Sequence, residues 1–313
     1  MSKVGNHAFL AGFNPQKWGG QCALPTISGS FQVPYRKVLL LLLLTSVAPV
    51  ISQAGQLNVS PCDFSLTVPS SIVEKSVVVF GELHGTKEAP FVFLSAICER
   101  LNRFDEETIT VALEYPQVES EHLLSYVNSS GSHEDKGRLL ETFFWKRQAQ
   151  DGRTSVAMLE LIDSLRRIST ETGRLEVIAI VPEAGSGKHE ELMAAAINQS
   201  VQQRPESPHF VLVGNLHSRR GVGRPGDPEF QPMLGWVEGD SVSVNIFSRH
   251  GDFWACTAEG CGRRSLSGED AEFGTLSTAM PRLDSSSHHD YAIIFDRFSA
   301  SPPAAGTEED AGS

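Results

Sequence analysis

The sequence predicts an α/β domain: a mainly parallel central sheet flanked by helices, with a helical insert and a C-terminal β-hairpin extension. Three observations lead there. Short apolar runs at residues 77–80, 108–114, 175–181 and 210–213 alternate with segments of helical periodicity, the order expected of βα units and a parallel sheet. The segment between the second and third runs, residues 117–172, is helical in character throughout and longer than a simple crossover. After residue 240 the texture changes: residues 242–247 alternate apolar and polar side chains, as a strand with one solvated face does.

Taken in order, residues 55–75 form a lead-in with a short strand. Residues 76–81 are a buried strand that meets a glycine. Residues 87–103 place Phe91, Phe93, Leu94, Ile97, Cys98 and Leu101 at helical spacing. Residues 108–114 are the second strand, stopped by Pro116. In the insert, three helices are marked by Leu123, Leu124 and Val127, by Leu139, Leu140, Phe143 and Phe144, and by Val156 through Ile168, the last closed by Gly173. The insert is expected to cover the carboxyl end of the sheet. Residues 175–181 are the third strand, 190–203 a helix, and 210–213 the fourth strand. Residues 253–256 are expected to pair with 242–247 as a hairpin around Gly251, and 291–295 form a last strand. Residues 299–313, rich in Pro, Ala, Gly and acidic side chains, read as a disordered tail.

The chain of 313 residues has 40% hydrophobic residues and a formal charge of −12. Residues 1–54 contribute four basic and no acidic side chains, so the remainder carries 22 basic against 38 acidic, a net −16. Such a surface repels phosphate backbones, which argues against nucleic acid as a partner. Arg36 and Lys37 precede six leucines, Leu39 to Leu44, and Ser52-Gln53-Ala54 follows. That pattern reads as a signal peptide over 36–54, cleaved after Ala54. It leaves 1–35 as a disordered extension or a mis-assigned start, and 55–298 as one α/β domain. An exported protein, periplasmic or secreted, with no permanent membrane span after cleavage, is the expectation. Export puts the cysteines in an oxidising compartment. Cys256 and Cys261 flank a turn-like Thr257-Ala258-Glu259-Gly260 and are expected to form a local disulfide. For Cys62 and Cys98 both a disulfide and a buried free thiol at Cys98 remain open.

Two segments say the same thing: Gly81-Glu82-Leu83-His84 and Gly214-Asn215-Leu216-His217 each follow an apolar strand. Ligands of α/β sheets bind outside the carboxyl ends of parallel strands, so two histidines delivered there are candidates for one site. The strand ending at Glu114 adds a carboxylate. Glu82 and His84 are two residues apart, which points both to one side of an extended backbone. Glu82, His84, Glu114 and His217 are therefore the candidate catalytic cluster, suited to acid–base chemistry. Glu82, His84 and His217 are candidate ligands for zinc or manganese. Asn215, Arg219, Arg220 and Tyr115 are expected to contact substrate, the arginines by binding an anion or a developing oxyanion. Gly185-Ser186-Gly187-Lys188 lacks P-loop spacing, and there is no Gly-x-Ser-x-Gly elbow, so a serine hydrolase is not supported. His288-His289-Asp290 borders a Ser-rich loop and reads as solvated.

These residues resemble the superfamily that groups erythromycin esterases, ChaN-like haem-uptake proteins, TraB proteins and the Tiki metalloproteases. Its members carry two Gly-x-x-His motifs and a glutamate pair, which Gly81–His84, Gly214–His217, Glu82 and Glu114 resemble. The resemblance covers roughly residues 76–220. It implies an α/β core with a cluster at the strand ends, and either hydrolysis of an ester or peptide bond or non-covalent haem binding. In the hydrolase reading His84 or Glu82 activates water, Glu114 orients that histidine or helps hold a cation, and His217 binds metal or polarises the carbonyl. The substrate is then a small molecule or a peptide. In the haem reading His217, His84 or Tyr115 is the axial ligand. A third reading is an interaction protein without activity. Relatives often place an acidic residue and then an Arg between the third strand and the Met-Ala segment. Here Glu183 is expected to take the acidic place, the Arg is missing, and His189 and Glu190 precede Met193-Ala194.

Overall fold

A computed structural model describes residues 61–63, 66–183, 185, 187–224, 226–267, 279–281 and 288–305. The expected signal segment, the residues before it and the end of the acidic tail lie outside these residues. The strands are β1 (Val77–Glu82), β2 (Ile109–Pro116), β3 (Leu175–Val181), β4 (His209–Gly214), β5 (Ser241–Ser248), β6 (His250–Thr257), β7 (Gly260–Ser267), β8 (Ala279–Pro281) and β9 (Tyr291–Phe295). The helices are α1 (Ser70–Val73), α2 (Glu88–Arg103), α3 (Ser120–Val127), α4 (His133–Leu140), α5 (Phe143–Lys146), α6 (Val156–Thr172) and α7 (His189–Gln203). The lead-in thus holds a short helix where a strand was expected.

The main sheet runs β3-β2-β4-β1-β5-β9-β8, parallel except for the short edge strand β8. Every residue of β1 and β4 is buried, because helices cover both faces; this is why those strands read as continuous apolar runs. Alternate residues feed two cores. Val78, Phe80, Leu113 and Phe210 pack under α2, α3 and α6. Val77, Val79, Ala112 and Val211 pack under α7 and the 3-10 turn Met233–Trp236. Phe80 meets Phe93 of α2 edge-on at 5.5 Å and stacks beside Phe210 at 6.4 Å, contacts worth about 0.5–1.5 kcal/mol each beyond their buried area.

The insert between β2 and β3 consists of a 3-10 turn and α3 to α6. Local sequence explains its boundaries. Ser132 and Asp135 close a capping box on α4. The Ser155 side chain accepts from Met158 N–H at the start of α6, and Gly173, at φ 65°, ends α6 in the left-handed region.

Two expectations about the C-terminal third are corrected. β6 pairs with β7, not with β5, while β5 lies inside the main sheet between β1 and β9. The Cys256–Cys261 disulfide joins opposed residues of that β6–β7 hairpin, and a second disulfide joins Cys62 to Cys98. The local bridge selects the hairpin partner that alternation alone did not. Residues 299–305 are also not a loose tail. Ser299 N–H donates to Glu88, Ser301 is 1% exposed and its N–H donates to the Gly85 carbonyl, and Ala300 and Pro303 bridge to Thr86 and Ser155. Among the described residues no helix is long and apolar enough to cross a membrane.

Candidate functional site

β4 lies between β1 and β2, so three carboxyl ends come side by side. Glu82 pairs with Gly214 in register, and Asn215 N–H donates to the Glu82 carbonyl at 2.8 Å. β2 shifts register against β3 between Leu113 and Pro116, a bulge that frees Glu114 from the ladder where the site begins. Gly214 is required for packing: a Cβ there would stand 2.9 Å from His84 Nε2 and 3.4 Å from His217 Cδ2. Both imidazoles therefore seat against the backbone of β4.

Glu114 is the hub. Its Oε2 accepts from Gly214 N–H at 2.7 Å and faces His84 Nε2 at 3.4 Å. Its Oε1 accepts from Arg153 at 3.0 Å and lies 3.8 Å from His217 Nε2. Burial alone would raise its pKa, but His84, His217 and Arg153 hold it far below the ordinary carboxylate range. His84 also donates from Nδ1 to Glu82 at 2.8 Å. Burial works to lower its pKa, yet the carboxylates of Glu114 and Glu82 raise it to about 10. His84 is thus an imidazolium at neutral pH, with a carboxylate on each nitrogen.

His217 has a different partner. Its Nδ1 donates to both Glu190 oxygens at 2.8 and 2.9 Å, and Glu190 is fixed in turn by Met233 N–H at 2.8 Å. Against the lowering effect of burial, Glu190 and Glu114 raise the pKa of His217. Nε2 at 3.8 Å from Glu114 is beyond hydrogen-bond distance. Glu190, in the first turn of α7, reaches this histidine; Glu183 is exposed. His189 stands beside Glu190, and burial lowers its pKa. A cleft of about 530 Å³ opens here, lined by His189, Glu190, His217, Arg224, Phe230 and Trp236.

Among the described residues, His189, Glu190 and His217 are the one trio of metal-ligating type whose ligand atoms lie within 4.8 Å of one another. The expected trio of Glu82, His84 and His217 does not converge in this way: Glu82 stands at the Nδ1 side of His84, and Glu114 separates His84 from His217.

The remaining expected residues are dispersed. Asn215 contributes its backbone, as above, and Arg219 is half-buried beside His289. Arg220 is committed elsewhere: it pairs with Asp290 at 2.5 Å and donates to the Ser241 carbonyl, tying the loop to β5. Tyr115 is 2% exposed, with its hydroxyl accepting from Trp145 Nε1 at 3.1 Å and its ring against Phe144. Burial pushes its pKa up. It braces the helical insert. His289 is buried against Ser218 Oγ at 3.0 Å and burial lowers its pKa to about 4; the solvated reading of that segment is corrected at His289, while His288 is exposed.

Arg153 and Asp151 were not found from sequence. They sit on the loop before α6, where Asp151 holds the Arg153 guanidinium with contacts of 2.5 to 3.2 Å. The pKa of Asp151, which burial alone would raise, is brought to about 2 by that pairing. This loop is strapped down by β6. Trp254 N–H donates to the Gly85 carbonyl at 3.0 Å and Trp254 Nε1 to the Gln150 carbonyl at 3.1 Å. A Cβ on Gly152 would lie 2.3 Å from Gly85 N, and one on Gly85 2.2 Å from the Trp254 carbonyl. The Gly beside Arg153 was the available signal, since only glycine allows this approach at φ 93°.

No family model matches the chain, and no curated protein matches it. Solved structures do. The chain is similar to a succinoglycan biosynthesis protein at TM-score 0.52, with 9% identity over 74% of this chain and 90% of that one. The likeness is one of fold. An erythromycin esterase mutant in its open conformation is similar at TM-score 0.40, with 12% identity over 63% of this chain and 78% of that one. ChaN of Campylobacter jejuni, described with cofacial haem binding, is similar at TM-score 0.33, with 12% identity over 56% of this chain and 83% of that one.

Proposed function

We propose that the chain is an exported hydrolase that adds water to an ester or peptide carbonyl, with His217 as general base. One observation carries the reading: His217 is oriented through Nδ1 by Glu190 while its Nε2 remains uncommitted, at 3.8 Å from Glu114. A carboxylate behind one imidazole nitrogen fixes the tautomer that presents a lone pair on the other. His84, enclosed by two carboxylates, is poorly suited to accept a proton, so the role of base passes from His84 to His217. In the reaction His217 Nε2 takes a proton from water as its oxygen attacks the carbonyl carbon. The carbonyl electron pair moves onto oxygen, where the positive charges of His84 and Arg153 favour it. The tetrahedral species then collapses, and the proton on His217 goes to the leaving group. Glu82 and Glu114 keep His84 charged and in place. The cleft beside His217 receives one side of the substrate.

Export is supported by the two disulfides, which belong to an oxidising compartment. The test is a screen of chromogenic esters and peptides, followed by His217→Ala with its thermal melt recorded. Turnover in the parent and a loss of about 10³-fold in folded His217→Ala is expected. Full turnover in that variant sinks the assignment. A Soret band on haem titration, without turnover, moves the function to haem binding.

A further inference from the structure

We propose that His189, Glu190 and His217 form a site for one divalent transition-metal cation of the zinc class, at the floor of the cleft beside α7. The site is distinct from the His84–Glu82–Glu114 cluster, and it does not depend on the hydrolase reading; a cation on His217 Nδ1 puts the neutral ring's proton on Nε2 and so competes with the base role. Its ligands come from two elements: His189 and Glu190 from the first turn of α7, His217 from the loop after β4. One ligand atom from each lies within 4.8 Å of the others. The two rings stand 5.8 Å apart between centroids and are tilted by 51°, not stacked. His217 Nδ1 and Glu190 Oε1 are 2.8 Å apart, at hydrogen-bond distance, and open to about 3.3 Å to take a tetrahedral ion between them.

Two imidazole nitrogens and one carboxylate oxygen make the three-ligand set of an open zinc site, with the fourth position left for water or ligand. All three residues line the cleft, which gives water or a ligand access to such an ion. Calcium and magnesium, which prefer oxygen shells, suit the set poorly. One outer partner of such a site is in place: Met233 N–H holds the Glu190 carboxylate at 2.8 Å, and the Glu114 carboxylate, 3.8 Å from His217 Nε2, adds negative charge nearby. The positive amino end of α7 opposes a cation; the carboxylates of Glu190 and Glu114 beside His217 counter it.

The full chain, stripped with a chelator and free of substrate, is titrated with zinc chloride in a calorimeter. About one equivalent binds, as a single three-ligand site requires. His189→Ala, at an exposed position that spares the fold, weakens binding about tenfold or more, and Glu190→Gln does the same. Glu82→Gln binds zinc as the parent does. Cobalt(II) in place of zinc gives a visible absorption band that His189→Ala alters. No zinc binding by the parent, or equal binding by His189→Ala, overturns the site. A loss in folded Glu82→Gln as deep as in His189→Ala also overturns it, by moving the cation to the His84 cluster. Because no substrate is present, failure here leaves the hydrolase reading standing, and a chain that binds zinc without turnover leaves this site standing.

Discussion

The two Gly-x-Leu-His segments leave adjacent strands and turn their histidines toward the same carboxylate, yet the two imidazoles end in different states. His84 is closed on both nitrogens, by Glu82 at 2.8 Å and by Glu114 at 3.4 Å. His217 is closed on one nitrogen by Glu190 and open on the other. The cause is the second residue of each segment. In the first it is Glu82, which partners its own histidine. In the second it is Asn215, which spends its N–H on the Glu82 carbonyl, so the acid must come from α7. A motif delivers a histidine to a place; the carboxylates that meet it there decide whether it keeps or gives up its proton.

Removing the shared carboxylate breaks the comparison most severely. Glu114→Ala takes from His84 and Arg153 the buried carboxylate they share, leaving each with one acidic partner, and it is expected to lower unfolding free energy by about 3 kcal/mol, read from urea denaturation. A loss under about 0.5 kcal/mol would contradict the hub.

The next effect isolates the second segment. Glu190→Gln removes the orienting carboxylate of His217 and is expected to lower kcat about 10²-fold. Because His217 has a raised pKa and works in its neutral form, parent activity should rise with pH through a midpoint above that of an ordinary histidine. In Glu190→Gln that midpoint moves to lower pH. An unmoved acid limb would detach Glu190 from the base.

The smallest effect converts the first segment into the second. Glu82→Asn should lower the pKa of His84, followed by the NMR titration of its ring protons. Stability gives the same comparison. The folded pKa of His84 is raised from 6.5 to about 10, so its stabilising contribution is complete below pH 6.5 and is lost as pH rises toward 10. The parent should lose stability across that window, and Glu82→Asn should lose less.

Much of this was legible in the residues. β3 and β9 match the predicted runs at both ends, and β1, β2, β4 and α2 differ from them only by a residue or two, because strands covered on both faces and helices covered on one imprint their burial on the sequence. The proximity of Glu82, His84, Glu114 and His217 followed from strand ends alone. What escaped were partners fixed by distant packing. Glu190 was visible as a residue of the helix after β3, at the right end of the sheet, but periodicity does not say which side chain of a first turn faces inward. Arg153 reaches Glu114 from a loop that packs on Gly85 and is hydrogen-bonded to β6. Residues 299–305 resemble a tail in composition and are ordered by backbone hydrogen bonds, which composition does not record.

The position of β4 also governs when the site can come into being. Glu82, His84 and Glu114 are synthesised early, on strands that do not touch each other in the finished sheet. They are joined only when β4, some hundred residues downstream of Glu114, slides between β1 and β2 and supplies the Gly214 N–H and His217. A nascent chain that ends before residue 209 therefore has no assembled cluster. The cluster and the completed sheet arrive in one step.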